Sequence, residues 1–331
     1  MMNVLVTGGA GYIGSHATKM LLNQGYRVVV IDNLSTGYKE ALDKRAIFYQ
    51  VDIREKDKVV EIIKDESIAA IIHFAAFSLV GESMVEPLKY YNNNVYGTQK
   101  LLEAMVETKL KYIVFSSTAA VYGQKEQMPI TEDMDEQPTN TYGQTKLAME
   151  KMMKWADLAH GIKYIALRYF NVAGAHSSGL IGEAHQPETH LIPLILQVPN
   201  RLREYISIFG HDYDTFDGTC IRDYIHIEDL INAHILAMEH LVKTKQSDVF
   251  NLGSGQGYSV LEMIEAARKV TNHPIPAKED KRRLGDPAIL IASSDKAMKV
   301  LKWERKYNDV SQIIASAWHF HKNHKGGYDD L

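Results

Sequence analysis

A short apolar run, Asn3-Val4-Leu5-Val6-Thr7, passes directly into the glycine-rich stretch GGAGYIG at 8–14 and then into the helix-like SHATKMLLNQ. The run reads as a strand, the glycines as a tight turn, and the segment after them as a helix whose N-terminus faces that turn. A strand–turn–helix of this kind aims backbone N–H groups at one point, where they stabilise the charge of a phosphate. Gly9, Gly11 and Gly14 satisfy G-x-G-x-x-G, and Gly8, Gly11 and Gly14 satisfy the wider G-x-x-G-x-x-G. Any tight strand–helix turn favours glycine, so the surroundings have to strengthen the signal.

They do. RVVVID (27–32), AIFYQV (46–51), AAIIHF (69–74), KYIVFSS (111–117) and YIALRYF (164–170) are near-continuous apolar runs, as expected of strands covered on both faces. Helix-like segments lie between them, among them EKDKVVEIIKD, NNVYGTQKLLEAMVET and QTKLAMEKMMKWADLAH. This alternation predicts an α/β fold, a Rossmann-type doubly wound parallel sheet. After residue 171 the pattern breaks into stretches rich in Gly, His, Asp and Pro, with helical segments returning at 228–243, 259–272 and 309–324. The expected division is a dinucleotide-binding domain over 1–170, and a smaller α/β lobe over 171–331, some segments of which return to the first domain. With 331 residues and 45% hydrophobic content, the chain can bury cores of that size.

Composition removes several classes of function. A formal net charge of −4 gives no electrostatic footing for nucleic acid. No apolar run is long enough to span a bilayer, and MMNVLVTGGAGYIG lacks the basic start of a secretion signal. The single cysteine, Cys220, excludes an intrachain disulfide framework and fits a reducing compartment. A cytoplasmic protein is expected.

The second strand ends in Asp32, 18 residues beyond Gly14, close to the roughly 20 at which a carboxylate meets the adenosine ribose of a dinucleotide. A carboxylate there accepts from both ribose hydroxyls and repels a 2′-phosphate, which selects NAD over NADP. Asp52, after the third strand, has two readings: an adenine contact or a loop cap.

TYGQTK (141–146) opens the helix after the fifth strand and puts a phenol and an amine, Tyr142 and Lys146, on one helix face. Alone, such a pair is usually a packed tyrosine beside a solvated lysine. A dinucleotide lying across the sheet, however, brings its nicotinamide to the ends of the fourth and fifth strands, where FSSTAAVYG (115–123) presents hydroxyls. Thr118 is then either a loop cap or part of the site. Lowering a phenol from about 10 to near 7 takes about 4 kcal/mol. A lysine ammonium and an oxidised nicotinamide in a water-poor cleft supply charge of the right sign. On this reading Lys146 binds the nicotinamide ribose and tunes Tyr142. Tyr142 removes an alcohol proton as hydride leaves the same carbon, and Thr118 hydrogen-bonds the reacting oxygen.

GGAGYIG, Asp32, FSST, YGQTK and RYFNVAGAH resemble the extended short-chain dehydrogenase/reductase superfamily. With DGTCIRDYIHIEDL, FNLGSGQGYSV and RRLGDPA, the whole chain is similar to its UDP-glucose 4-epimerase family. The resemblance implies interconversion of UDP-glucose and UDP-galactose. NAD takes hydride from C4, the 4-keto sugar turns over while UDP stays anchored, and the hydride returns to the opposite face. Tyr142 is implied as the base, with Lys146 and Thr118 beside it. The implied cofactor contacts are Gly8, Gly11, Tyr12, Ile13, Gly14, Asp32, Asn33, Asp52, Ile53, Phe74, Ala75, Ala76, Asn93, Ser116, Tyr142, Lys146 and Tyr169. The implied UDP-sugar contacts are Thr118, Tyr142, Asn171, His190, Leu191, Ser207, Phe209, Arg222, Arg283, Asp286 and Leu290. Arginine forks suit a diphosphate and Phe209 suits uracil. Arg222 beside Asp223 also has the simpler reading of an ion pair.

Some positions depart from the family pattern. HFAAFS carries Ser78 where several members carry lysine, which removes a possible cofactor contact. His190, in ETHLIPLI, stands where others carry an asparagine that touches substrate, and still offers a phosphate a donor. Leu290, four residues after Asp286, borders C2 of the hexose in the family's arrangement. Leucine leaves more room than tyrosine and less than alanine, so measurable turnover of UDP-N-acetylglucosamine is expected beside the main pair. Ala119 and Ala120 stand where 4,6-dehydratases carry Asp-Glu, and where decarboxylases of nucleotide-sugar acids carry Glu at the second position. Neither elimination nor decarboxylation finds its acid or base here. A non-catalytic NAD sensor on the same fold has no use for the Thr-Tyr-Lys set. No metal is expected, the histidines of HKNHKGG (321–327) being loosely spaced in a basic tail. The helices at 93–108 and 143–160 carry apolar residues beyond one face (Leu101, Leu102, Met105, Leu147, Met152, Met153). That suggests a homodimer like the superfamily's, or else helices packed deep within one chain.

Overall fold

The computed structural model describes residues 2–283 and 286–330. Strands β1 (Asn3–Thr7), β2 (Arg27–Asp32), β3 (Ile47–Gln50), β4 (Ala70–His73), β5 (Tyr112–Ser116) and β6 (Lys163–Tyr169) lie within a residue of the runs read from sequence. The later strands are β7 (Asn171–Ala173), β8 (Ile206–Phe209), β9 (Ile221–His226), β10 (Asp248–Leu252), β11 (Gly257–Ser259), β12 (Ala277–Asp280) and β13 (Ile289–Leu290). In the first half the helices are α1 (Tyr12–Asn23), α2 (Lys56–Asp65), α3 (Val80–Val85), α4 (Pro87–Tyr90), α5 (Gly97–Thr108) and α6 (Thr141–His160). In the second half they are α7 (Leu191–Gln197), α8 (Ile227–Thr244), α9 (Val260–Thr271), α10 (Asp295–Leu301) and α11 (Val310–Asn323).

Seven strands form one parallel sheet in the order β10-β6-β5-β4-β1-β2-β3. Successive side chains of a strand face opposite ways, and here each face meets helices. Val4, Val6, Val28, Val30, Ile72 and Val114 pack with residues of α1 and α8, whereas Leu5, Val29, Ile31, Ile71, Ile113 and Phe115 pack with residues of α2, α5 and α6. Continuous apolar runs are what a sheet covered twice requires. The chain order reverses beside β1, which opens a crevice at the C-terminal strand ends between β1 and β4. The seventh strand, β10, comes from the second half of the chain and pairs with β6.

The remaining strands build a second lobe. β7, β9, β11 and β13 form a small mixed sheet, and β8 pairs with β12. Around them α7, α9 and α11 enclose a separate core that includes Ile192, Ile195, Ile206, Tyr224, Ile264 and Ile313. α9 and α11 each start with a capping box, Ser259 with Glu262 and Asp309 with Gln312.

Two expectations change. The segment 93–108 is not one regular helix, because Tyr91–Tyr96 form a π-helical turn ahead of α5. π turns and α turns share their composition, so sequence does not separate them. Of the six apolar residues read as lying beyond one face, Leu101, Leu102, Met105, Leu147 and Met153 are buried, and Met152 packs partly buried against the same core. The chain's own interior accounts for them, whereas Val106, Trp155 and Leu158 on the same two helices are exposed. Among the described residues no helix is long and apolar enough to cross a membrane.

Candidate active site

At the crevice the loop after β1 passes the loop after β4, and the segment after β5 meets the first turn of α6. Gly8 takes φ +71, and a Cβ there would lie 2.6 Å from the Ala75 nitrogen, so only glycine lets the loop after β1 pass the loop after β4. α1 starts at Gly11 with no side-chain cap, which leaves its first N–H groups for an anion. Gly14 lies within that first turn, and Ile13 packs against the sheet core. Tyr12 ties α1 to the second lobe, its hydroxyl donating to the Gly174 carbonyl at 2.7 Å.

Asp32 is 8% exposed. One of its oxygens accepts from the Ala10 N–H at 2.9 Å and the other from the Leu34 N–H at 2.8 Å. Each oxygen keeps a lone pair, which is what two ribose hydroxyls need. Burial raises the Asp32 pKa, and the two N–H bonds oppose it. An uncapped helix N-terminus and a half-satisfied carboxylate at this spacing fit a dinucleotide.

Asp52 does not fit it in the same way. Asn33 Nδ2 at 2.8 Å and Arg54 Nη2 at 2.7 Å fill one oxygen; the Arg54 amide at 2.9 Å and its Nε at 2.8 Å fill the other. Arg54 draws the carboxyl down to about 2. In this arrangement Asp52 is a loop cap with Asn33 and Arg54 around it, and an adenine amine would have to share its oxygens with them. Ile53 is buried, against Gly97.

The loop after β4 carries Phe74, Ala75, Ala76 and the exposed Ser78. Asn94 holds it: Oδ1 accepts from the Phe77 N–H at 2.8 Å, and Nδ2 donates to the Phe77 carbonyl at 3.0 Å and to Thr145 at 3.2 Å. Asn93, the residue singled out from sequence, donates to Asn94 at 3.1 Å. Sequence reasoning missed Asn94, and the run Asn92–Asn94 was its only signal.

At the catalytic end, Asn140 caps α6 by accepting from the Gly143 N–H at 2.8 Å, which sets Tyr142 in the first turn and Lys146 one turn on. A Cβ at Gly143 would meet the Ala120 carbonyl at 2.6 Å, so glycine lets α6 press on the short 3₁₀ segment Ala119–Tyr122. Of the two readings of Thr118, the loop cap is seen: its hydroxyl oxygen accepts from the Ala120 N–H at 3.1 Å. The same hydroxyl is near enough to the Tyr142 phenol to lower its pKa. Lys146 is 4% exposed, and its Nζ donates to the Ser116 carbonyl at 2.8 Å. The Ser116 hydroxyl pairs with that of Tyr169.

The electrostatics differ from the sequence-based account. Burial pushes Tyr142 up to about 12 against the Thr118 hydrogen bond, and pushes Lys146 down to about 7 against the Glu150 carboxylate. Desolvation is the largest influence on both groups, so Lys146 alone does not make Tyr142 a base. A further positive charge has to enter the cleft.

Behind Lys146 lies a buried network that sequence reasoning missed. Arg168, 1% exposed, donates through Nε to Glu150 at 3.0 Å and through Nη1 to the Tyr122 hydroxyl at 2.9 Å. Ser117 donates to Glu150 as well. His73 bridges Thr7 at 2.6 Å and Thr98 at 3.0 Å, held neutral at a pKa of about 3 by burial and then by Lys146.

The second lobe gathers the other candidates. Asn171 donates to the Asp223 carbonyl at 3.2 Å. Asp223 is occupied by Ser254, accepting from its N–H and its hydroxyl, both at 2.6 Å. Arg222 instead lies 3.5 Å from Asp286, so the ion pair with its sequence neighbour is not formed. The Arg283 guanidinium stacks 4.1 Å from the Phe209 ring centre, and Ser207 shares strand β8 with that ring. Leu290 packs beside the cluster of Ala119, Tyr122 and Leu147. His190 precedes Leu191 at the start of α7, and its Nδ1 pairs with Glu183. Burial works against its charge, yet Glu183 and Glu188 hold its pKa at about 9.

Residues 4–253 match the NAD dependent epimerase/dehydratase family. A UDP-glucose 4-epimerase from Lactobacillus helveticus is 56% identical over 99% of this chain and 100% of its own length. The crystal structure of a UDP-glucose 4-epimerase superposes with a TM-score of 0.97 at 54% identity, over 98% of this chain and 99% of that one. Another, from Bifidobacterium longum in complex with NAD+ and UDP, gives a TM-score of 0.94 at 38% identity over 98% of this chain and all of the other (100%). By sequence and by fold alike, the chain belongs to the NAD dependent epimerase/dehydratase family, among its UDP-glucose 4-epimerases.

Proposed function

We infer that this chain interconverts UDP-glucose and UDP-galactose, with NAD as its resident cofactor. The carrying observation is that Thr118, Tyr142 and Lys146 converge at the end of β5 while Ala119 and Ala120, next in sequence, bring no acid or base. When bound, NAD supplies a reversible hydride acceptor and, oxidised, the positive charge that the phenol lacks. Tyr142 takes the proton of the C4 hydroxyl and later returns one, Thr118 holding the phenol in place. Lys146, fixed on the Ser116 carbonyl, keeps two further N–H bonds for ribose hydroxyls. Arg222 and Arg283 offer forks to the diphosphate, and Asp286 orients the first of them in the meantime. A grip on the phosphates leaves the hexose free to present either face. The test is incubation of NAD-loaded protein with UDP-galactose, reading UDP-glucose with a coupled dehydrogenase. Appearance of a 4-keto-6-deoxy sugar, or no product at all, overturns the reading.

We further propose that residues 1–170 hold the cofactor and 171–331 mainly the UDP-sugar, and that the protein is a cytoplasmic homodimer. A pair of helices with Val106, Trp155 and Leu158 outward supports the dimer, and a lone buried thiol, Cys220, supports a reducing compartment. Light scattering on the purified protein tests the assembly; a mass of one chain overturns it.

A further inference from the structure

The stretch Gly182-Glu-Ala-His-Gln-Pro-Glu-Thr-His190 contains Glu183, His185, Glu188 and His190 in the spacing E-x-H-x-x-E-x-H. The fold closes this stretch on itself, so that one ligand atom from each of the four side chains lies within 4.8 Å of the other three. His185 Nδ1 is 3.2 Å from Glu183 Oε1 and 3.8 Å from Glu188 Oε2, and His190 Nδ1 is 3.9 Å from Glu188 Oε1. His190 Nδ1 also contacts Glu183 Oε1.

We propose that Glu183, His185, Glu188 and His190 bind one zinc ion, with two imidazole nitrogens and two carboxylate oxygens as its tetrahedral ligands. Tetrahedral zinc with bonds of about 2.0–2.2 Å sets its ligand atoms roughly 3.3–3.6 Å apart. The 3.2–3.9 Å contacts of His185 and Glu188 lie around that range, whereas His190 and Glu183, now sharing a proton, would have to move apart to admit the ion.

Two further observations point the same way. The Glu183 and Glu188 side chains, 3% and 8% exposed, are drawn together away from water; the His190 imidazolium offsets one of their charges, and a divalent cation would offset both. His185 Nδ1 is shut off from solvent and makes no aligned hydrogen bond, although Glu183 is 3.2 Å away. Metal binding would displace the protons now held between the imidazoles and carboxylates.

The ion would brace a loop with neighbours that matter. The His185 ring meets Tyr12 edge-on, ring centres 6.2 Å apart, directly at the start of α1. The same loop leads into α7 through His190 and Leu191. The expectation of no metal considered only the histidines at 321–327, whereas this set lies in the irregular stretch before α7.

The experiment uses untagged protein purified without chelators and measures its metal content by mass spectrometry. About one zinc per chain is expected, falling to background in His185→Ala and Glu183→Gln. Metal-stripped wild-type protein is then titrated with zinc. Binding at one equivalent and a melting midpoint that rises with zinc concentration are expected. Wild-type protein that neither carries zinc nor responds to it overturns the proposal, as does zinc that both variants retain. The wild-type titration decides the matter even if a variant fails to fold, and no arm depends on epimerase activity.

Discussion

The Lys146 ammonium donates to the Ser116 carbonyl at 2.8 Å while lying 5.9 Å from the centre of the Tyr142 ring. The lysine is thus tethered to the end of β5 and faces the phenol without binding it. Its distance sets how the pair works: the lysine is a positioned donor, and the phenol depends on what else arrives in the cleft. Four expectations rest on this geometry and its surroundings.

Replacing Tyr142 with Phe keeps the ring and removes the proton acceptor. Turnover of UDP-galactose should fall by about 10²–10⁴-fold, with UDP-sugar binding retained. Steady-state rates and calorimetric titration of the variant check this. A variant keeping half its rate would remove Tyr142 from the role of base.

Stability without nucleotide should depend on pH through Lys146. An unfolded lysine titrates near 10.4, whereas burial sets the folded one at about 7. Between those values the unfolded chain binds more protons, so stability rises with pH across that window. Tyr142 acts the opposite way only above about 10, where the unfolded phenol ionises first. The melting midpoint of the nucleotide-free chain, referenced to Lys146→Met, should therefore climb from pH 7 to pH 9. A constant difference would mean that Lys146 keeps its charge in the fold.

Asp32 should decide which dinucleotide stays bound. Heat-released nucleotide from the purified protein should be NAD, and Asp32→Ser should lose most of it while gaining affinity for NADP. Hydrogen bonds to a charged group contribute about 1.5–3 kcal/mol, roughly a 10–150-fold change in retention. Chromatography of the released nucleotide reads both effects. NADP in the parent protein would contradict the assignment.

Leu290 packs beside Ala119, at the edge of the catalytic cluster, and we propose that it gates the C2 side of the hexose. Apolar pockets separate ligands differing by a small group by about 10–200-fold. The parent should turn over UDP-N-acetylglucosamine measurably but less well than UDP-glucose, and Leu290→Tyr should widen the gap. The ratio of kcat/KM for the two substrates is the readout. Equal losses on both would show that position 290 does not sense the acetyl group.

Local patterns are legible where a local rule governs. The first six strands follow from apolar runs, and Tyr142 and Lys146 share a face because helices repeat every few residues. Where partners come from afar, sequence is silent or ambiguous. Asp52 has two roles open to it in sequence, and its partners Arg54 and Asn33 appear only in three dimensions. Arg222 has an acid beside it in sequence, yet Asp286 is the one it meets. Glu150 and Arg168 look like an ordinary helix acid and a strand cation until the fold buries them together. The pattern at 183–190 is readable as a ligand spacing, but no periodicity marks a loop that folds back on itself.

The pairing of β6 with β10 has a consequence for how the molecule is made. β6 ends at Tyr169 and β10 begins at Asp248, so a ribosome adding about 5–20 residues per second leaves the open edge of β6 bare for roughly 4–16 s. α8, which packs on α1, is likewise synthesised after the strands it covers. The nascent first half therefore presents an unpaired apolar strand to its surroundings until the second half has emerged. A chain cut near residue 170 would keep that state permanently, as a template for aggregation rather than as a free nucleotide-binding module.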